Sequence, residues 1–337
     1  MAKPLVSILI PAYNAEQTIS QTLQSAVAQT WAHTEIIVVD DGSTDRTADI
    51  VRRFDSKITL VSQENQGMSD AMNSAYRISR GDYIQELDAD DVLMPDKIER
   101  QLAALRPADS SRLLLSSAWA PFYYRTSCAR FVRNSLCQDL SPAEWIVRKM
   151  EDNTYMQNAT FLMSRELAEA AGPWPKHLHY DQDGEYFARV LLASEGTRFV
   201  EGTGVFYRQR DSSRVSYIGN SDRKKDSMLI SMKLQIQYLQ SLEESERTRR
   251  ACLTYLQNWY GDLVPGRPDI LAEMQSLAAQ LQGHLEEQPM SWKYAWIKPI
   301  LGKNTAKRAS KTLPALKASA IRRCDKVLYE LGTRGAV

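Results

Sequence analysis

A strand-like apolar run opens into three aspartates in the stretch Gly81-Asp82-Tyr83-Ile84-Gln85-Glu86-Leu87-Asp88-Ala89-Asp90-Asp91. Met94-Pro95 follows closely, so we expect the chain to turn there and not to spread the charges along a helix. Carboxylates crowded at a strand end repel one another unless a cation or hydrogen bonds compensate them. Carboxylate oxygens suit magnesium and manganese. The stretch therefore predicts a divalent-metal site, with a solvated acidic turn as the alternative.

The composition is that of an ordinary globular chain whose charge is unevenly distributed. Of 337 residues, 43% are hydrophobic and 25% are charged, and the formal net charge is +1. Met290 to Val337 holds eleven Lys or Arg against two acids, a local charge of +9, which leaves −8 for the preceding residues. A chain of this length holds two domains, or one large domain with an appendage. We expect an acidic main part followed by a basic tail.

The cysteines indicate a reducing compartment, and the hydropathy predicts neither a signal peptide nor a membrane-spanning helix. The scattered cysteines form no Cys-x-x-Cys pair, which favours neither a zinc knuckle nor a disulfide framework; they are Cys128, Cys137, Cys252 and Cys324. The first apolar run is short and ends at Pro11, so we interpret it as a strand and not as a signal peptide. No apolar run reaches the ~20 residues of a membrane-spanning helix. We expect a cytoplasmic protein, and peripheral contact with the cytoplasmic face of the inner membrane stays an open alternative.

Strand-like and helix-like segments alternate along the first quarter of the chain. Apolar, β-branched runs predict the strands, and apolar residues at helical spacing predict the helices between them. The predicted strands cover residues 5–10, 35–40, 58–61 and 83–87, and the predicted helices cover about 15–28, 45–54 and 67–79. Later runs at 113–118, 158–163 and 199–208 also predict strands. This alternation predicts an α/β fold with a mainly parallel sheet flanked by helices.

Polar residues follow three of the predicted strands. Pro11-Ala12-Tyr13-Asn14 ends the first strand, Asp40-Asp41 the second and Asp88-Ala89-Asp90 the fourth. Open sheets of this kind bind ligands beyond the carboxyl ends of their strands, so we expect one site there. The alternative for Asp40-Asp41 is a helix cap with a turn. A dinucleotide-binding domain is disfavoured because no Gly-x-Gly-x-x-Gly follows the first strand, and only Gly202-Thr203-Gly204 occurs far downstream.

Four short segments carry a specific resemblance. They are Val6-Ser7-Ile8-Leu9-Ile10-Pro11-Ala12-Tyr13-Asn14, Val38-Val39-Asp40-Asp41-Gly42-Ser43-Thr44-Asp45, Asn65-Gln66-Gly67 and Leu87-Asp88-Ala89-Asp90-Asp91. In order and spacing they resemble the signatures of family 2 glycosyltransferases of the GT-A fold, over about residues 4–218. The resemblance implies a Rossmann-like nucleotide-binding half and an activity that uses a nucleotide diphosphate sugar.

The resemblance also implies roles for residues of the donor site. Asp41 would hydrogen-bond the nucleobase, and the Pro11-Ala12-Tyr13 loop would line the base and ribose pocket. Asp90 would ligate Mg²⁺ or Mn²⁺, and Asp88 would lie near the ribose or the metal. The cation would bridge the diphosphate and neutralise the charge of the departing nucleoside diphosphate. The other donor-site residues would be Asp40, Gly67, Ala89 and Arg208.

One position departs from the pattern of the family. Many relatives have Ala-Arg-Asn where this chain has Ala71-Met72-Asn73. An arginine contact with phosphate at this place must therefore be absent or supplied elsewhere. Tyr207-Arg208, followed by Arg214, resembles the family's Tyr-Arg segment and flexible basic loop. Arg208 or Arg214 would neutralise phosphate, and a solvated basic loop is the alternative.

A second acidic stretch, Tyr180-Asp181-Gln182-Asp183-Gly184-Glu185-Tyr186, begins a predicted helix. It resembles the second acidic motif of the family, usually Glu-Asp followed by an acid, an aromatic residue and Arg. Gln182 stands in place of the glutamate. This leaves Asp183 as the implied catalytic base and Asp181 as its main competitor. The alternative is that Asp181 or Asp183 caps the helix, since carboxylates in a first turn favour the positive end of the helix dipole.

The remaining chain is predicted to be helical. We divide the sequence into a GT-A catalytic domain at residues 1–218 and a helical carboxyl-terminal region with a basic amphipathic tail at residues 219–337. Aromatic residues at 292–296 and a basic amphipathic helix beginning near Pro314 are typical of a segment bound to a membrane surface. The alternative is that the tail packs on the acidic catalytic domain. Nucleic-acid binding is disfavoured because no known reading module is present.

These observations lead to one principal functional hypothesis. We expect an inverting, metal-dependent glycosyltransferase that moves a sugar from a nucleotide diphosphate sugar, most simply a UDP-sugar, to a hydroxyl of a glycan or lipid-linked glycan. Cell-surface polysaccharide, lipopolysaccharide or glycolipid assembly would be the setting. The alternative is a catalytically silent sugar-nucleotide-binding scaffold on the same fold. A nucleotidyltransferase is disfavoured because its glycine-rich, basic phosphate loop is missing after the first strand.

Overall fold

The computed structural model describes residues 3–54, 58–209, 218–219, 221–286 and 318–331. The basic loop at Arg214 and the aromatic residues at 292–296 lie outside these ranges. The strands are β1 (Val6–Ala12), β2 (Thr34–Asp41), β3 (Ile58–Gln63), β4 (Tyr83–Glu86), β5 (Val92–Leu93), β6 (Leu113–Phe122), β7 (Met163–Ser164) and β8 (Gly196–Arg208).

Helices connect and cover these strands. They are α1 (Ile19–Val27), α2 (Thr47–Arg52), α3 (Met68–Ile78), α4 (Lys97–Ala103), α5 (Pro142–Glu151), α6 (Arg165–Ala171), α7 (Gln182–Ala193), α8 (Asp222–Leu242), α9 (Glu246–Leu263) and α10 (Pro268–Gln280). Short 3₁₀ helices occur at Thr126–Cys128 and Asn158–Thr160, and residues 318–331 form a further helix.

Two sheets organise the fold. The larger has the order β3-β2-β1-β4-β7, in which β3, β2, β1 and β4 are parallel and β7 is antiparallel. The smaller has the order β5-β8-β6. Every residue of β1 is buried because Leu9 faces one hydrophobic cluster and Ile8 and Ile10 face the other. The predicted α/β class with a mainly parallel sheet is confirmed, and the carboxyl ends of β1, β2 and β4 meet at one edge.

One predicted strand is wrong. Residues 158–163 were expected to be extended, but Asn158–Thr160 form a 3₁₀ turn and only Met163–Ser164 pair as a strand. The side chains of Gln157 and Asn158 both accept a hydrogen bond from the backbone N–H of Ala159, at 2.7 and 2.9 Å. Such local side-chain bonds compete with the sheet ladder, and they override the apolar pattern here.

The helical region shares a hydrophobic core with the part that precedes it. Met228, Met232 and Ile236 of α8 belong to the same buried cluster as Trp145 of α5 and Phe187 of α7. The predicted domain boundary at residue 218 therefore separates two segments of sequence that pack together, and it stays a prediction. Among the residues that the structure describes, no helix combines the length and the apolarity required to cross a membrane.

Candidate active site

A cleft of about 980 Å³ opens at the carboxyl edge of the larger sheet. It brings together almost all the residues that the sequence predicted for donor, metal and base. Those that line it are Pro11, Ala12, Tyr13, Asp41, Gly67, Asp88, Ala89, Asp90, Asp183 and Arg208. Asp40 is not among the lining residues of the described cleft; its carboxylate accepts the backbone N–H of Ser43 at 3.2 Å and so holds the turn after β2.

In the acidic loop after β4, Asp91 is buried, whereas Asp88 and Asp90 face the cleft. Oxygens of Asp88, Asp90 and Asp91 lie within 4.8 Å of one another. Asp91 is fully buried, and its two oxygens accept hydrogen bonds from the backbone N–H of Arg208 at 2.8 Å and from Gln157 at 2.7 Å. Burial, followed by the charges of Asp90 and Asp88, raises the pKa of Asp91 well above its ordinary value. Asp91 therefore supports the turn, whereas Asp88 and Asp90 face the cleft.

This cluster fits a hard divalent cation. Three carboxylates within such a distance provide oxygen donors of the kind that Mg²⁺ and Mn²⁺ prefer, and their mutual repulsion favours a positive charge between them. Asp88 and Asp90 line open space, so they could share a cation with a diphosphate. The side chain of Asp88 also accepts a hydrogen bond from Asn158 at 3.3 Å, which helps to fix its orientation.

Arg208 holds the backbone of the acidic loop. Its Nε donates to the carbonyl of Asp90 at 2.7 Å, and its Nη1 donates to the carbonyl of Tyr123 at 3.0 Å. The guanidinium also donates to Gln21 and lies 4.4 Å from the ring centre of Phe122. Only 7% of the side chain is exposed. Arg208 therefore has a structural role, and its predicted contact with phosphate stays a prediction.

Asp41 organises the opposite wall of the cleft. Its Oδ1 accepts hydrogen bonds from the side chain of Gln63 at 2.8 Å and the backbone N–H of Gln66 at 2.9 Å. Its Oδ2 accepts the N–H of Gly67 at 2.8 Å. Each carboxylate oxygen accepts up to two hydrogen bonds, so Oδ2 retains capacity for an N–H donor of a ligand. Gly67 has a φ of 93°, a conformation that favours glycine.

The start of α7 separates the roles of Asp181 and Asp183. Asp181 adopts a left-handed conformation with a φ of 57°, and its carboxylate accepts hydrogen bonds from Ser231 at 2.6 Å and Gln235 at 2.9 Å. Burial, opposed by the charge of Lys149, raises the pKa of Asp181 to about 6. Asp183 lies in the first turn of α7 and lines the cleft. Asp181 also lines the cleft, but its carboxylate is bonded to partners on α8, which favours Asp183 as the group available to a ligand.

Gly184 follows Asp183 in the first turn of α7, where the space next to the Asp181 carboxylate favours a glycine. A side chain at Gly184 would overlap the Asp181 carboxylate. The alternative capping role of Asp181 has no support in the described contacts, because its side chain makes no capping hydrogen bond to α7. Its hydrogen-bond partners Ser231 and Gln235 lie on α8 instead. Asp183 lies in the first turn, where its charge favours the positive end of the helix dipole.

The far end of the cleft was not predicted from the sequence. Its lining residues come from α5, from residues 153–156, and from α8 and α9; they include Trp145, Lys149, Tyr155, Tyr180, Tyr255 and Trp259. Lys149 donates to Gln235 and lies 5.7 Å from the ring centre of Tyr255. Tyr180 belongs to the second acidic stretch before α7. The other residues carry no motif, and tertiary packing brings α5, α8 and α9 together around this end of the cleft.

Comparison with known proteins agrees with the geometry. Residues 7–111 match the family described as glycosyl transferase family 2. The match extends from β1 to the residues just before β6. The matched segment contains the predicted metal ligands Asp88 and Asp90, but it ends before Asp183 and Arg208, so the roles of these two residues do not follow from it.

The curated relatives match only part of this chain. An uncharacterized glycosyltransferase of Rickettsia typhi is 29% identical over 57% of this chain and 60% of its own length. The chondroitin synthase of Escherichia coli is 43% identical over 31% of this chain and 16% of its own length. TuaG of Bacillus subtilis, a glycosyltransferase assigned to teichuronic acid biosynthesis, is 36% identical over 45% of this chain and 56% of its own length. The matches thus span less than two thirds of these relatives.

Solved structures support the GT-A fold over most of the chain. Residues 1–349 of Staphylococcus aureus TarS, in complex with UDP-GlcNAc, align with a TM-score of 0.62 at 18% identity, covering 82% of this chain and 79% of that one. The mannosyltransferase PcManGT from Pyrobaculum calidifontis, in complex with GDP-Man and Mn²⁺, aligns with a TM-score of 0.55 at 18% identity, covering 98% and 85%.

Proposed function

We propose that this chain is an inverting, metal-dependent glycosyltransferase that moves a sugar from a nucleotide diphosphate sugar to a hydroxyl of a glycan or lipid-linked glycan. The observation that carries the proposal is the meeting of two acidic elements in one cleft. Asp88 and Asp90 reach it from the end of β4, and Asp183 reaches it from the start of α7. A cation site for the leaving group and a base for the incoming group are the two requirements of such a transfer.

The donor would bind along β1 and β2. Asp41 would accept a nucleobase N–H, while Pro11, Ala12 and Tyr13 would pack against the base and ribose, and Gly67 and Ala89 line the same space. We propose a UDP-sugar as the donor. In support, TarS of the same fold was solved with UDP-GlcNAc and with UDP. PcManGT was solved with GDP-Man, so the nucleotide is the least constrained part of this assignment.

Asp90 and Asp88 would hold Mg²⁺ or Mn²⁺ beside the diphosphate. When bound, the cation would neutralise the negative charge that develops on the leaving nucleoside diphosphate. The carboxylate cluster and the Mn²⁺ of PcManGT support this assignment. Asp91 and Arg208 would keep the loop in place through their mutual hydrogen bond and the bond from Arg208 to the Asp90 carbonyl.

Asp183 would act as the catalytic base. It would accept the proton of the acceptor hydroxyl while the oxygen bonds to the anomeric carbon and the bond from that carbon to the diphosphate oxygen breaks. The nucleoside diphosphate leaves with the electron pair, so the sugar inverts its anomeric configuration. Asp181, bonded to Ser231 and Gln235, would hold the loop that carries Asp183.

The acceptor would occupy the aromatic end of the cleft. Tyr155, Tyr180, Tyr255 and Trp259 line this end, and aromatic rings present apolar faces that suit the C–H faces of sugar rings. The similarity to chondroitin synthase and TuaG supports a setting in polysaccharide biosynthesis at the cell surface. We also propose a cytoplasmic location, because all four cysteines are unpaired, as in reducing compartments.

Two substitutions separate catalysis from donor binding. Asp183→Asn is expected to lower sugar transfer by about 10²–10⁴-fold, the usual contribution of a general base, while donor affinity is retained. Asp90→Asn is expected to weaken the binding of UDP-sugars in Mn²⁺ or Mg²⁺ and to lower transfer with it. Glu195→Gln, which changes an exposed acid outside the cleft, is the matched control and should leave both unchanged.

The assay would follow sugar release and transfer from UDP-, GDP- and TDP-sugars with each metal. Unchanged transfer in both variants would overturn the role assignment. Binding of a sugar nucleotide by the wild type without release or transfer, across donors and glycan acceptors, would favour the silent scaffold instead.

A further inference from the structure

A buried carboxylate, Asp325, attaches the helix at residues 318–331 to the segment that follows β6. Asp325 accepts the backbone N–H groups of Tyr124 and Arg125 at 2.8 and 3.2 Å, and it pairs with the Arg125 guanidinium at 2.7 Å. The rings of Tyr329 and Tyr124 lie 5.9 Å apart. Asp325 and Tyr329 are four residues apart and lie on one side of the helix. This side docks onto the segment that follows β6.

Another side of the same helix presents apolar side chains to solvent. Ile321, Leu328 and Leu331 are 50%, 49% and 62% exposed, and Val327 is 54% exposed. Spacings of three, four and seven residues place these side chains, with the exposed Cys324, on one apolar stripe beside the docked side. An exposed stripe of this kind on a fixed helix indicates an interaction surface.

The charge around the stripe is positive. Arg322, Arg323 and Lys326 lie on the polar side of the helix, where Glu330 is the acid facing Lys326 at 3.7 Å. The preceding sequence, residues 290–317, contains seven Lys or Arg and no Asp or Glu. A second copy of this chain would bring the same positive charges together, which opposes self-association. A negatively charged surface would neutralise them.

We propose that the helix at 318–331 binds an anionic lipid bilayer, with its apolar stripe in the interfacial region and its basic side chains against the headgroups. Apolar burial and attraction to anionic lipids then act together, as in helices that lie in the membrane plane. The anchor places this surface close to the cleft, because Tyr123, next to Tyr124, accepts a hydrogen bond from Arg208. Lipid binding requires no sugar transfer, so this inference does not rest on the proposed function.

Flotation of the full chain with vesicles tests the proposal. At ~0.15 M salt, the wild type is expected to float with vesicles of phosphatidylglycerol and phosphatidylethanolamine, and not with vesicles of phosphatidylcholine alone. Leu328→Glu is expected to weaken binding at least ~10-fold, because it places a charge within the apolar stripe. Ile78→Glu, at an exposed apolar residue on α3 that is 43% exposed, is the matched control and should bind as the wild type does.

Circular dichroism and thermal unfolding would show that Leu328→Glu retains the fold. Failure of the wild type to bind the anionic vesicles, or equal binding by Leu328→Glu, would overturn the proposal. A dimer detected by light scattering and abolished by Leu328→Glu, without vesicle binding, would overturn it in favour of a second copy. Donor binding by the wild type, measured alongside, keeps this outcome separate from any failure of the glycosyltransferase assignment.

Discussion

Glu86 lies directly before the acidic loop and is completely enclosed. It is 2% exposed, and its Oε1 accepts a hydrogen bond from Nε1 of Trp174 at 2.9 Å. Its Oε2 is buried and has no hydrogen-bond partner among the described residues. Burial, with smaller contributions from the charges of Asp88 and Asp183, raises the pKa of Glu86 to about 8. A neutral carboxyl group at this position avoids a further negative charge beside the acids that we propose to bind the metal.

Glu86 should therefore make stability depend on pH. Because its pKa is raised from 4.5 to about 8 on folding, its contribution is fully present below pH 4.5 and is lost as pH rises through about 8. Glu86→Gln keeps an acceptor for Trp174 and removes the titration. A tenfold change in an ionisation constant corresponds to about 1.4 kcal/mol, so the variant should gain a few kcal/mol over the wild type between pH 5 and pH 9.

Urea unfolding of both proteins at pH 5, 7 and 9, with EDTA present, measures this gain. A stability difference that does not change with pH would show that Glu86 is ionised in the folded protein.

Individual site residues were predictable where they belong to a short sequence motif. Asp88, Asp90 and Asp183 follow from short motifs with fixed spacing, and they line the cleft together. The function of Arg208 in the fold was not predictable, because its partners Tyr123 and Asp90 are 85 and 118 residues away in sequence. A single sequence shows that such a residue is present, but it does not show which distant carbonyls it meets.

At the scale of elements, α8 connects the carboxyl-terminal helices to the predicted base. Ser231 and Gln235 occupy successive turns of one face of α8, and both donate to the Asp181 carboxylate. Gln235 in turn accepts a hydrogen bond from Lys149 of α5. Asp181, directly before α7, is thus bonded to α8 and, through Gln235, linked to α5. We infer that α8 positions Asp183 through Asp181.

Ser231→Ala tests this positioning role. Loss of its hydroxyl removes one bond to Asp181, and small displacements of reacting groups cost up to ~10²-fold in rate. We expect kcat to fall ~10–100-fold while the KM for the donor and the melting temperature change little. Ser241→Ala, at an exposed serine on the same helix, is the matched control and should behave as the wild type does. A raised donor KM with an unchanged kcat would contradict the positioning role.

Elements with strong periodicity were predictable, and elements fixed by local polar groups were not. The strands and helices of the first quarter of the chain agree with the prediction within a few residues. The strand predicted at residues 158–163 is wrong because the side chains of Gln157 and Asn158 accept hydrogen bonds from the backbone N–H of Ala159. The strand predicted at 113–118 continues to Phe122, since residues 118–122 pair with β8, a partner far away in sequence.

In the whole molecule, the edge of the larger sheet and the helices α5, α8 and α9 together form the cleft. The sheet edge supplies the donor end, whereas α5, α8 and α9 supply Lys149, Met228, Tyr255 and Trp259 at the other end. The motifs predicted the donor end because β1, β2 and β4 each carry polar residues where they terminate. The sequence predicted that the chain after residue 218 is helical, but not the surface against which α8 and α9 pack.

We propose that one cleft holds a divalent cation and a nucleoside diphosphate through Asp90 and Asp88. Isothermal titration calorimetry of UDP into the wild type, with Mn²⁺ and with EDTA, tests it most directly, together with the same titrations of Asp90→Asn. We predict binding that depends on Mn²⁺ and is weakened at least ~10-fold by the substitution, since a carboxylate ligand of the metal is lost. Equal affinity for UDP in Mn²⁺ and EDTA, or unchanged affinity in Asp90→Asn, would contradict the account.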